Sequence, residues 1–320
     1  VDGDENAARS VLSHRSSPKK LPARIMVLFV EPPAVMQANF SAGTDTITLP
    51  SGVYVLTRSA PGFDPLGIVG DLDIVDDLVI QGAGAGSTII DGNRSVTHDR
   101  VFEIVSGLAK VDFSDLTVRN GGAPTATFPG MLGGGIYAQL SSAAFSTLRL
   151  TRVAFEDNLA EDGGGVYVDG WTLEMSDVVV RGNTVFYQGG GVFAKNALLT
   201  IKDSTIFSNT ADYQGGGLFA GGTIFAIRDS AIFSNAASEG GGVSMLNIID
   251  SRIERVEMYS NTATTNGGAI ENVSDAGATF GNKLRLVDSR LHHNSAANNG
   301  GAIDNYASLV VSRTVIDSNH

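Results

Sequence analysis

A repeat governs what this chain can fold into. Asparagines return at Asn158, Asn183, Asn209, Asn235, Asn261, Asn294 and Asn319, in steps of 25, 26, 26, 26, 33 and 25 residues. A glycine cluster follows each of the first six: Gly163 to Gly165, Gly189 to Gly191, Gly215 to Gly217, Gly240 to Gly242, Gly267 with Gly268, and Gly300 with Gly301. Three places before the asparagines stand Phe155, Val180, Ile206, Ile232, Met258, Leu291 and Ile316, and after the glycines stand Val166, Val192, Leu218, Val243, Ile270 and Ile303. Every member is apolar. Leu148 and Leu150 flank Arg149 in an alternation of period two, which marks a strand. Such a unit cannot close a core alone, but stacked copies bury each apolar column against the next at about 4.8 Å. The expected fold is all-β, a parallel β-helix. Leucine-rich repeats have similar lengths, but their Leu-x-x-Leu-x-Leu pattern is absent.

Regular coils occupy residues 145–320, and 41–144 read as the same architecture with less regular coils. Strands are expected over 72–80, 88–90 and 111–120, with a further pair in 45–56 around Pro50-Ser51-Gly52. Residues 1–40 do not fit the period. They carry Arg15, Lys19, Lys20 and Arg24, an apolar run from Ile25 to Val30 too short for a signal peptide, Pro32-Pro33, and an expected short helix from Ala34 to Phe40. Because the end of a solenoid exposes a raw sheet edge, that helix is the expected cap. The chain stops mid-unit at Ser318-Asn319-His320, which implies either further chain or a docked partner.

Composition narrows the function. With 22 basic against 34 acidic side chains the net charge is −12, which argues against nucleic-acid partners. The 39 glycines follow no Gly-X-Y period and only nine prolines accompany them, so collagen is excluded. The absence of cysteine removes disulfides, thiolate metal sites and cysteine nucleophiles. No apolar run reaches the roughly 18 residues of a transmembrane helix.

The paired motifs Gly267-Gly268-Ala269-Ile270 and Gly300-Gly301-Ala302-Ile303, alternating with Phe155-Glu156-Asp157-Asn158 and its relatives, resemble the GGA(I/L/V) and FxxN repeats of polymorphic outer-membrane proteins over residues 113–320. Only Phe155 matches the family's Phe, and four clusters read Gly-Gly-Gly. Residues 43–56, 70–77 and 82–92 resemble the opening segment of bacterial surface β-helix proteins that begin with Cys-Ser-Leu-Arg-Glu-Ala. Here Pro33 to Asn39 stands in place of that motif. The resemblance implies a right-handed, pectin-lyase-like β-helix, extracellular or associated with the bacterial outer membrane, used for adhesion and surface display.

Each chemical feature has a bland competitor. The asparagine ladder reads as structural, since Asn tolerates left-handed turns and stacked carboxamides can bond coil to coil. The glycine clusters lack a Gly-Lys-Ser/Thr ending and a following helix, so they are turns, not phosphate loops. Six places before the asparagines runs a line of charge: Arg152, Asp177, Asp203, Asp229, Arg255, Asp288 and Arg313. Its adjacent carboxylates Asp177, Asp203 and Asp229 need cations, solvent or a bound ion, and Ca²⁺ would suit oxygen ligands. Lys202 and Arg228 are expected to point inward or into the bend.

Tyr167, Phe193 and Phe219 follow inward-facing residues and should face out on consecutive coils, continued by Ser244, Glu271 and Asp304. Tyr187 and Tyr213 lie stacked in the preceding turns. An exposed aromatic stripe suits a glycan or protein partner, unless an insertion from Thr125 to Met131 folds over it. The five histidines, His14, His98, His292, His293 and His320, sit in no lyase or glycosidase motif, although Asp99-Arg100 beside His98 stays open. The expected function is thus non-catalytic adhesion or display without a cofactor. The alternative is a polysaccharide lyase or glycoside hydrolase on the same long face.

Overall fold

The computed structural model describes residues 11–14, 34–41, 43–58, 70–105, 109–122, 131–139, 146–275 and 283–320. The basic patch, the apolar run from Ile25 to Val30 and residues 125–130 lie outside them. Three sheets build a parallel β-helix. One has nine strands, from Leu72–Ile74 through Phe102–Ile104, Ile136–Gln139, Val166–Asp169, Val192–Lys195, Leu218–Gly221, Val243–Leu246 and Ile270–Val273 to Ile303–Asn305. A second, six-stranded sheet of very short strands begins at Leu159–Ala160. The third is long and bent: Thr147–Glu156 is one strand, while the next coil divides into Thr172–Ser176 and Val179–Arg181, both pairing with it.

Register follows the sequence columns. Ile206 pairs with Ile232, and Val192 with Leu218. Leu150, Ile227, Val180 and Val243 are fully buried in one continuous core. The strands expected in the irregular region form as Asp45–Thr48, Gly52–Val55, Leu72–Ile74, Leu78–Gln81, Thr88–Asp91 and Lys110–Arg119. The expected helix forms over Ala34–Asn39 and buries Ala34, Val35 and Ala38 in the same core. Its Asn39 Nδ2 donates to the Asp73 carbonyl at 2.7 Å, and its Oδ1 accepts from the Val75 N–H at 3.1 Å. It therefore covers the first coil, clamped to the edge of the nine-stranded sheet.

The asparagines are a ladder, but not because they take the left-handed backbone. That conformation belongs to the residue before each: Asp157, Gly182, Ser208, Ser234, Ser260, His293 and Ser318 all have positive φ. The asparagine supplies hydrogen bonds instead. Asn209 Oδ1 accepts from the backbone N–H and Nδ2 of Asn183, while its own Nδ2 donates to Val180 O and Asn235 Oδ1. The glycine clusters divide their labour. Gly189 has φ +69°, and a Cβ on Gly190 would run into the carbonyl of Gly216 in the next coil.

Candidate active site

On the nine-stranded sheet, core-facing residues alternate with residues that face out. The outward column is longer than the sequence reading: Asp73, Glu103, Tyr137, Tyr167, Phe193, Phe219, Ser244, Glu271 and Asp304 stand in register on successive strands. They form a floor along the outward side of this sheet. Turn residues form a second line, where Gln188 Nε2 donates to Gln214 Oε1 at 2.6 Å and Gln214 Nε2 donates to Glu239 Oε2 at 2.8 Å. Leu132 and Leu246 pack against the aromatic middle.

At the N-terminal end of this floor four carboxylates crowd one arginine. The cause is local. In later coils the turn entering the strand is a glycine triplet, such as Gly133-Gly134-Gly135 before Ile136, whereas the coil before it has Asp99-Arg100-Val101 and the one before that has Gly70-Asp71. Chemical side chains occupy positions that are bare elsewhere. Arg100 makes ion pairs with Glu103 at 3.2 Å, Asp71 at 3.6 Å and Asp99 at 3.9 Å, and its guanidinium lies 4.6 Å above the Tyr137 ring. One oxygen each of Asp71, Asp73 and Glu103 lies within 4.8 Å of the others, the one such carboxylate group among the described residues that could share a metal ion.

The electrostatics follow from burial. Asp71 is pushed well above the ordinary carboxylate range, first by desolvation and then by the charges of Asp99 and Asp73, against which Arg100 acts. Asp99 is also raised by desolvation, with Arg100 opposing. Burial raises the Tyr137 hydroxyl too, although Arg100 pulls it back. One guanidinium cannot balance four carboxylates, so burial and mutual repulsion oppose full ionisation of the cluster.

The C-terminal end carries a second acidic group. Glu271 is pushed up to about 7, first by burial and then, against the hydrogen bond donated by Ser244, by Glu239 and Asp304. The Ser244 hydroxyl donates to Glu271 Oε2 at 2.7 Å. Between the two ends Asp162 is raised to about 6, mainly by burial.

The aromatic residues expected to carry binding are brought together, with a difference. Tyr167, Phe193 and Phe219 face out of the core as expected, yet they are only 5%, 4% and 3% exposed. Their rings stack on one another, with centroids 4.6 and 5.1 Å apart and planes within 2° and 18°. Walls hide their edges and neighbours occupy their faces, so they are not an open platform. Of the expected cover from Thr125 to Met131 all but Met131 lies outside the described residues; Leu132, next in the chain, packs against the stack. Tyr187 and Tyr213 do stack, at 5.2 Å, and remain exposed at 47% and 38%. A further ladder, Phe207, Phe233, Tyr259 and His292, stacks on the outer face of the bent sheet and was visible in the sequence two places before the asparagines.

The line of charge marks the bend itself. Arg152, Asp177, Asp203, Asp229, Arg255, Asp288 and Arg313 all have positive φ, a conformation Asp tolerates better than most residues. Asp229 is bound by Arg255 at 2.6 and 3.0 Å, Asp203 by Lys202 at 3.1 Å, and Asp177 borders Arg152. Lys202 and Arg228 do not point inward: the left-handed residue breaks the alternation, so Lys202 and Asp203 both face solvent.

No family model matches the chain, and neither does any curated protein. Solved structures do. The A-module of Azotobacter vinelandii mannuronan C-5 epimerase AlgE4 is similar at 15% identity, covering 89% of this chain and 90% of its own, with a TM-score of 0.43. The periplasmic alginate epimerase AlgG is similar at 11% identity over 99% and 95%, TM-score 0.31. The catalytic domain of a GH87 alpha-1,3-glucanase in complex with nigerose is similar at 14% over 87% and 65%, TM-score 0.25. The fold is the pectin-lyase-like right-handed β-helix. The proteins these titles name are enzymes of carbohydrate chemistry, against which the expected non-catalytic adhesion or display is corrected; the likeness itself is one of fold. The stripe on which the display reading rested is closed.

Proposed function

We propose that this chain is a carbohydrate-active enzyme that hydrolyses an uncharged or cationic polysaccharide at the N-terminal end of the outward column. The observation that carries the reading is the cluster of Asp71, Asp73, Asp99 and Glu103 around Arg100 on the nine-stranded sheet. Asp71, whose carboxyl burial pushes well above the ordinary range, is the proton donor; Glu103, ion-paired with Arg100, is the nucleophile. Their oxygens lie within 4.8 Å. That is below the roughly 6.5 to 9.5 Å that leaves room for an attacking water, and nearer the spacing of a retaining enzyme. Asp71 gives its proton to the glycosidic oxygen as the bond to the anomeric carbon breaks and the Glu103 carboxylate bonds to that carbon. Water then attacks the same carbon, losing its proton to Asp71 and releasing Glu103.

Charge selects the substrate class. Carboxylates stand at both ends of the outward column and beside it, so a polyuronate would meet like charge. A polymer of this kind is met outside the cell or at the outer membrane, the location that the resemblance of the repeats to those of polymorphic outer-membrane proteins implies. No helix of the described residues is long and apolar enough to cross a membrane.

The test is a reducing-end assay over a panel of neutral, hexosamine-containing and uronic polysaccharides, with and without calcium. Turnover of a neutral or hexosamine polymer should fall by about 10² to 10⁴ in Glu103→Gln and in Asp71→Asn. Unsaturated products from a polyuronate that appear only with calcium would overturn the reading, and would assign the three close oxygens to a cation instead. Full activity in Glu103→Gln would also overturn it.

A further inference from the structure

We propose that an open cavity on the outer face of the bent sheet binds one pyranose unit of a neutral glycan, away from the acid cluster on the nine-stranded sheet. Its origin is a break in the repeat. Seven residues separate Gln81 from Ile89, against two between their partners Ser114 and Thr117, so this coil carries a loop where its neighbours turn on the single left-handed residue Asp115 or Arg152. The loop folds over the sheet. Thr117 Oγ1 donates to the Ala85 carbonyl, and the Gly84 N–H donates to the Asp115 carbonyl at 2.8 Å. Ala85 and Gly86 thereby border one end of a cavity of about 440 Å³, a volume within the range of small-molecule sites. Its floor is a register column of short side chains, Thr117, Ala154, Val179 and Thr205. Beside the floor the next outward column rises as Glu156, Arg181 and Phe207.

The chemistry of this lining selects the occupant. Phe207 is the first ring of the outer ladder, and Phe233 covers one of its faces, with centroids 4.9 Å apart and planes within 8°. Every other lining residue belongs to the same coil or an earlier one, so the cavity meets the ring from the side that Phe233 leaves uncovered. The rim is polar but balanced. Arg181 Nε and Nη2 both contact Glu156 Oε1, at 3.0 and 2.9 Å, which leaves Glu156 Oε2 as an acceptor and Arg181 Nη1 as a donor outside the pair. A pyranose has apolar C–H faces and neighbouring hydroxyls that each donate and accept, so it matches an apolar floor with a ring at one end and a donor beside an acceptor at one edge. Because the charges of the pair cancel, an ionised sugar gains nothing over a neutral one. A purely aliphatic occupant would strip water from both groups without replacing its hydrogen bonds. The inference rests on the cavity and not on the hydrolase reading; where both hold, the bent sheet retains the polymer while the nine-stranded sheet cuts it.

NMR titration of the whole chain with methyl glucoside, methyl mannoside and methyl galactoside tests the assignment, read as saturation transfer to the sugar C–H protons. At least one of them should bind, and Val179→Phe, which fills the cavity from the outer face, should remove most of the transfer. Thr205→Tyr fills the same space from the next coil and gives the same reading should Val179→Phe fail to fold. Phe207→Leu, which keeps apolar bulk without the ring, should weaken binding by about tenfold. Glu103→Gln should leave binding unchanged, whether or not it abolishes turnover. Absence of transfer to all three sugars, or transfer undiminished in the folded filling variants, would overturn the site. Loss of binding in Glu103→Gln would also overturn it, by placing the sugar at the acid cluster. So would self-association abolished by Val179→Phe without sugar binding, which would give this face to a second copy of the chain.

Discussion

Replacing Arg100 by methionine isolates the charge balance of the acid cluster. Methionine retains an unbranched stem and a polarisable group over the Tyr137 ring, so the packing loss is small compared with the loss of charge. Arg100 is 14% exposed and faces Glu103, Asp71 and Asp99 at 3.2, 3.6 and 3.9 Å. Removing one partner from a buried ionic group leaves the others uncompensated, at a cost of about 3 to 5 kcal/mol at pH 7. The pH dependence gives the diagnostic. Asp71 and Asp99 already titrate above their unfolded values, so the folded state holds more protons than the unfolded one, and stability falls as pH rises from about 4 through the folded values. Without Arg100 those values rise further, and the window of loss widens upward. In urea melts at pH 5, 6, 7 and 8 the deficit of Arg100→Met should therefore grow with pH and shrink toward pH 5. Adding Asp99→Asn should return part of the stability at pH 7 but little at pH 5. A deficit below about 1 kcal/mol, or one independent of pH, would refute the reasoning and mean that the carboxylates are neutralised by something other than Arg100 and protons.

Other expectations follow from the same geometry. Asn209→Ala deletes four hydrogen bonds and leaves the Asn183 N–H buried without its acceptor, so it should cost about 2 to 5 kcal/mol in a denaturant melt; an unchanged midpoint would remove the ladder's structural role. Phe193→Ala breaks the middle of a closed stack and should cost about 3 to 4 kcal/mol, against almost nothing for Tyr187→Ala at its exposed position; the reverse order would restore the open-stripe reading. Glu271→Gln should flatten the fall of stability between pH 5 and about 7.5, because the wild-type carboxyl, raised to about 7, loses its proton there at the expense of the folded state. A profile parallel to wild type would show that Glu271 is not the titrating group.

Stacking repeats places each residue next to its copy, which is why Ile206 and Ile232 could be paired from spacing alone and why the Val166 column was seen as core. Side-chain direction was equally legible, because parity along a strand is a property of the backbone; Tyr167, Phe193 and Phe219 do face away from the core. Exposure was not, because it depends on what neighbouring turns raise beside the strand: the Gln188 and Gln214 ladder, Leu132 and Leu246 belong to other columns. The bend shows the limit of parity itself, since a left-handed residue at Asp203 turns two successive side chains outward. The acid site escaped for a related reason. It lies where the repeat is broken, with Asp99-Arg100 standing in the place of the glycines before Ile136, and the broken coils are those whose spacing is too irregular to align without coordinates. Extending the outward column backward from Tyr167 through Tyr137 to Glu103 and Asp73 was the signal that could have found it. In a solenoid the regular positions are occupied by residues that hold the coils together, so chemistry concentrates where a coil departs from its neighbours, and Arg100 among its carboxylates is the largest such departure among the described residues.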